Sequence, residues 1–79
     1  MSQKTKILEH LKKGKSITPL DALSLFGCFR LAARISEIRD IGLREGFTIK
    51  TESFMVRDRD GETKPVARYV LHWNGQGQA

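Results

Sequence analysis

Apolar residues in this chain change their spacing once, and the change falls between Gly42 and Phe47. Before it they recur every three or four positions, the period of a helix. After it they alternate, the period of a half-buried strand. Such a chain is built of helices first and an antiparallel hairpin last, an α+β order with no room for a parallel sheet.

Glycines and one proline divide the helical half. Ile7, Leu8 and Leu11 lie on one stripe of a helix predicted over Thr5–Lys13, with Ser2 or Thr5 as its cap and Gly14 as its stop. Ser16-Ile17-Thr18 is a short extended link. Thr18-Pro19-Leu20-Asp21 is a sharp helix start: Thr18 caps the first turn, Pro19 fits the first helical position, and Asp21 stands where a capping-box acid reaches back. The second helix is expected to turn Leu20, Leu23 and Phe26 inward and to break at Gly27. A third helix is predicted from about Cys28 or Phe29 to Arg39 or Ile41, with Leu31, Ile35, Ile38 and Gly42 on one narrow face. Two short helices joined through a glycine turn, the second longer, read as a helix-turn-helix.

In the second half, Phe47–Thr51 alternates, Asp58-Arg59-Asp60-Gly61 is a turn signal, and alternation returns from Val66 to Trp73. Ala67, Tyr69, Leu71 and Trp73 share one face, and Val66, Arg68, Val70 and His72 the other. Pro65 marks a strand start or an edge. The Phe54-Met55-Val56 run breaks the alternation and leaves three readings open: a bulge, a partner surface or a dimer contact. A lone hairpin is marginal in water, so this one must pack on the helices. Helix, link, helix, turn, helix, hairpin is a winged helix-turn-helix order. Residues 1–79 form one domain, with an ordered core over about 4–73 and a polar tail at 74–79.

These pieces also carry a resemblance. Leu20-Asp21-Ala22-Leu23, Gly27, Arg30-Leu31-Ala32-Ala33-Arg34-Ile35, Ile38-Arg39, Gly46-Phe47-Thr48-Ile49-Lys50-Thr51 and Val66-Ala67-Arg68-Tyr69-Val70-Leu71 stand in order over roughly residues 5–72. The combination resembles a family of small winged helix-turn-helix domains frequent in phages and prophages. It implies a winged-helix fold and binding to double-stranded DNA. Members of that family pass from third helix to strand through a short turn, whereas Asp40–Glu45 suggests a longer connection here.

Charge agrees with an anionic partner. The formal net charge is +5. Residues 1–20 supply +4 of it, residues 21–46 are balanced, and residues 47–79 add +1. On the third helix, Phe29, Arg30, Ala33, Ser36, Glu37 and Asp40 are expected to face away from the core, with Arg34 and Arg39 on its flanks. Arg30 is the candidate for a guanine edge, since its fork matches two acceptors there. Arg34 reaches a base or a phosphate, or else pairs with Glu37 or Asp21. Ser36 fits a phosphate and Ala33 allows close approach. Glu37 and Asp40 repel phosphates, so the end of the helix lifts from the duplex. Arg39 is read as structural. Arg57, Arg59 and Lys64 around the turn, with Arg68 on the last strand, suit backbone or minor-groove contact, unless Asp58, Asp60 and Glu62 neutralise them. Lys13 and Lys15, together with Lys12, form a third basic group, and Thr18 opens a helix whose amides suit a phosphate.

Other chemistry is sparse. Cys28 is the one cysteine, so no internal disulfide forms; a small buried thiol in a reducing, cytoplasmic and nucleoid-associated setting is the expectation. His10 and His72 with that cysteine make no zinc set, no glycine-rich phosphate loop appears, and no run approaches membrane length. No enzyme, cofactor or small-molecule substrate is expected. The expected partner is double-stranded DNA, with a homodimer or a phage or host protein as further options. The competing reading is a winged helix that binds proteins and not DNA.

Overall fold

The computed structural model describes residues 2–74. Three helices, α1 (Gln3–Lys12), α2 (Pro19–Phe26) and α3 (Leu31–Glu45), precede two strands, β1 (Phe47–Arg57) and β2 (Thr63–Trp73). Ser2 caps α1, its side chain accepting from the Thr5 amide at 3.1 Å. The expected capping box at α2 is complete: Thr18 Oγ1 accepts from Asp21 N–H, and Asp21 Oδ2 accepts from Thr18 N–H, both at 3.1 Å.

The strands pair antiparallel without interruption from Phe47↔Trp73 to Arg57↔Thr63. Two flanking bonds set the phase of this ladder. Asn74 N–H donates to Gly46 O and Asp58 N–H donates to Glu62 O, each at 2.8 Å. Even-numbered residues therefore exchange the ladder bonds, and odd-numbered residues point their N–H and C=O sideways. On the far side of β2, Tyr69 uses its sideways groups to bond Ile17 in the link, at 2.8 and 3.0 Å. Pro65 is odd-numbered as well, so its missing N–H costs no ladder bond. The Phe54–Val56 run contains no bulge. Asn74, expected in the polar tail, extends the ladder; residues 75–79 of that expected tail lie outside the described residues.

The core gathers Ile7 and Leu11 of α1, Ile17 of the link, Ala22 of α2, Cys28 of the turn, Leu31, Ile35 and Ile38 of α3, and Phe47 and Ile49 of β1. Tyr69 and Leu71 pack against it from β2. Each fully buried aliphatic side chain of this kind contributes roughly 1.5–3 kcal/mol. Only the root of the hairpin meets the helices. The remainder of β1 and β2 projects as a two-stranded arm, which accounts for a longest dimension of 45 Å in so small a chain.

Three expectations need correction. The inward side of α2 is Ala22, with Phe26 half-buried beside it, whereas Leu20 is 70% and Leu23 40% exposed. At 3.6 residues per turn, Leu20 and Leu23 fall about 140° and 80° from the Ala22–Phe26 stripe. α3 starts at Leu31, because the Cys28 amide is spent on the Ala22 carbonyl and the first helical carbonyl is that of Arg30. Phe29 accordingly sits in the turn, not on the helix, and is 85% exposed. Finally, α3 does not end near Ile41. It runs through Gly42 and stops at Gly46, whose φ of +91° suits glycine and whose N–H returns to Gly42 O at 2.8 Å. Asp40–Glu45 is therefore helix, and the connection to β1 is one residue long.

Candidate nucleic-acid interface

α3 presents its first turn without a side-chain cap and without an acidic residue. Arg30 occupies the cap position itself, exposed, and its guanidinium meets no carboxylate among the described residues. The positive end of the helix and a free arginine thus coincide. Ser36 and Glu37 lie one turn further along on the exposed side, while Ala33 is half-buried. Arg34 forms the alternative pair foreseen for it, with Glu37 at 3.5 Å. Being half-exposed, that pair adds little stability and can open to a phosphate. Asp40 and Arg44 continue the exposed side. Arg44 lies beyond the end at Arg39 or Ile41 that the sequence predicts for this helix.

Arg39 is structural. Its Nε and an Nη donate to the Ile49 carbonyl at 3.3 and 3.1 Å, and that Nη also reaches Thr51 Oγ1 at 3.1 Å. Ile49 O is one of the sideways-pointing groups of β1, so Arg39 closes the strand edge where α3 runs past it.

At the hairpin tip, acids and bases are sorted rather than mutually cancelled. Asp58 Oδ1 accepts from the amides of Asp60 (2.9 Å) and Glu62 (3.0 Å), and its Oδ2 holds Lys64 at 3.3 Å. The Glu62 amide, with help from Lys64 and Asp60, holds this carboxyl below its ordinary value of 3.8, against a smaller opposing effect of partial burial. Arg57 and Arg59 keep no acidic partner among the described residues. Arg68 is taken up within the arm: it holds Glu52 across the ladder at 2.9 Å and lies over the Phe54 ring at 5.0 Å. The Phe54 part of the apolar run is thereby covered by the chain itself.

A lowered carboxyl contributes stability that is complete above pH 3.8 and is lost as pH falls through the folded value. The turn should therefore stay ordered below pH 3.8 and loosen only at a more acid midpoint. An NMR titration of the Asp60 and Glu62 amides checks this, and a midpoint at or above 3.8 contradicts it.

A protein-family model described as a winged helix-turn-helix domain matches residues 2–73. The chain belongs to that family. The three helices and the antiparallel wing are the architecture that the winged helix requires, and membership points to DNA binding, typically by a module without enzymatic activity. No curated protein and no solved structure gives a significant match to the chain. No helix of the described winged helix is long and apolar enough to cross a membrane.

Within the winged helix the sequence-predicted bases fall into separate groups. Arg30 and Arg34 stand at the start of α3, Arg57, Arg59 and Lys64 at the wing tip, and Arg68 midway along the wing. Lys13 and Lys15 line a groove between α1 and α2 instead. Gln3 bonds the carbonyls of Phe26 and Gly27, so the near end of α1 adjoins the turn into α3. Lys13 is ten residues on, about 15 Å along the axis. Thr18 opens α2 as expected. Its capping box, however, uses the Thr18 and Asp21 amides, and Pro19 has none, which leaves little there for a phosphate.

Proposed function

We propose that this winged helix is a sequence-specific reader of double-stranded DNA, a small regulator or recombination accessory factor of the phage type. The observation that carries the reading is the coincidence at Arg30: an exposed, unpaired arginine at the uncapped, acid-free start of the longest helix. Such a helix start enters the major groove, where Arg30 pairs with both acceptors of a guanine. Arg57 and Arg59 on the wing reach phosphates or an adjacent minor groove. Arg34, Ser36 and Lys64 make secondary backbone contacts. Glu37 and Asp40 keep the rear of α3 off the duplex.

Selection of bound sequences from a random duplex pool tests this reading. A consensus containing a guanine is expected, and Arg30→Ala should relax the preference there by roughly 1–3 kcal/mol. Arg57→Ala should weaken all duplexes alike and lower the salt slope by about 0.9. A palindromic consensus indicates two copies on one site. A second reading, a protein-binding winged helix, draws on the exposed Leu20, Leu23 and Phe29. It takes over if no duplex is retained even at low salt.

A further inference from the structure

α1 and α2 enclose an open groove of about 340 Å³. Leu25 and Phe26 give it an apolar wall, and Lys6, Lys13 and Lys15 line it with positive charge. His10 is fixed in that wall: its ring meets Phe26 edge-on at 5.7 Å, and Nε2 donates to Ser16 O at 3.0 Å. Glu9 also lines the groove, leaving a local excess of two positive charges. None of the three lysines pairs with a carboxylate among the described residues.

The groove looks away from α3. Lys6 on α1 and Lys13 at its C-cap lie about 120° and 140° from the Ile7–Leu11 stripe at 3.6 residues per turn. That stripe packs into the core with Leu31, Ile35 and Ile38 of α3, whose own exposed side carries Ser36, Glu37 and Asp40. Lys6 and Lys13 thus point away from the core face that α3 covers.

We propose that this groove binds an acidic segment of a partner protein while α3 holds DNA. Carboxylates engage Lys6, Lys13 and Lys15, and one apolar side chain of the segment lies against Leu25 and Phe26. The lining decides the class of partner. A duplex offers this lining phosphates alone and leaves Leu25 and Phe26 unmatched, whereas a peptide supplies carboxylates and an apolar side chain together. Simultaneous occupancy rests on the DNA reading above; the groove itself does not.

The test uses the full chain and a synthetic ten-residue peptide of aspartate and glutamate with a central Leu-Phe pair, at 0.15 M salt, where exposed charges are screened beyond about 8 Å. Binding should shift the amides of Lys6, His10, Lys13 and Phe26. The triple variant K6Q/K13Q/K15Q should lose at least tenfold in peptide affinity, with duplex affinity changed less than threefold. Leu25→Ser, at an exposed position, should weaken the Leu-Phe peptide and leave an all-acidic peptide unaffected. Arg30→Ala should do the reverse of the lysine variant, lowering duplex affinity alone. Thermal unfolding checks that each variant is folded. The proposal is overturned if the peptide does not bind, if its shifts fall on Arg30 and Arg57, or if the lysine variant loses tenfold in duplex affinity. Peptide binding without duplex binding would overturn the DNA reading and leave the groove standing.

Discussion

Gly42→Ala should destabilise the protein by about 3 kcal/mol, the upper range for overpacking a tight contact. The sign is the informative part. In an ordinary helix interior this change gains up to about 1 kcal/mol. Gly42 lies within α3 with no positive φ, so conformation does not oppose alanine. Space does. A Cβ there would run into the Phe47 carbonyl oxygen and stand 2.9 and 3.0 Å from two carbons of its ring. Phe47 is odd-numbered in the ladder, so that carbonyl points away from β2. It is backbone, and it cannot turn aside as a flexible side-chain end would. The strand must retreat, and the contact between α3 and the root of the wing opens. For a domain of this size the loss corresponds to roughly 12–24 °C in Tm. A thermal melt measures it, and an unchanged or raised Tm would contradict the packing described.

Phe47→Ala should cost about 3–5 kcal/mol, as large-to-small changes at buried aromatics do. Phe47 is 1% exposed and joins three parts of the molecule. Its ring meets Trp73 edge-on at 5.4 Å, lies 5.9 Å from the Lys12 ammonium, and closes on Gly42. Lys12 in turn holds Glu45 at the end of α3 at 2.9 Å. Removal leaves a cavity at the joint between helices and wing. Phe54→Ala provides the comparison. Phe54 is of the same type but lies half-buried on the other face of the projecting arm, opposite Val66 and under Arg68. Urea denaturation should show a far smaller loss for Phe54→Ala; equal losses would mean that the arm packs more tightly than its geometry implies.

The order of elements was legible because local signals agreed with one another. The Thr18–Asp21 box, the stripe Leu31-Ile35-Ile38 and the alternation over Val66–Trp73 each need only a few neighbouring residues. Expectation and structure part where a residue's place depends on how the folded chain packs. Gly42 reads as a helix end, since the sequence does not reveal that the chain reverses at Gly46 and presses Phe47 back against it. The rotation of α2 is not legible because eight residues carry few inward positions, and Leu20 and Leu23 are as apolar as the residues that are buried. Phe29 precedes by two residues the start of the helix that the sequence predicts it to open.

The candidate site divides in the same way. Arg30 was identified from its place before an amphipathic stripe. Which other arginines remain free was not legible, because that depends on register. Glu52 lies opposite Arg68 only in this pairing, and Asp58 is withdrawn from Arg57 and Arg59 only once the Asp60 and Glu62 amides fold back onto it. The groove that holds Lys13 and Lys15 required the packing of α1 against α2.

The most direct measurement of DNA recognition by this surface is amide chemical-shift mapping with a selected duplex. Binding as proposed gives the largest changes over residues 28–36 and 57–62, with Lys6 and Lys13 little moved. Changes confined to α1 and α2, with residues 28–36 silent, would contradict it.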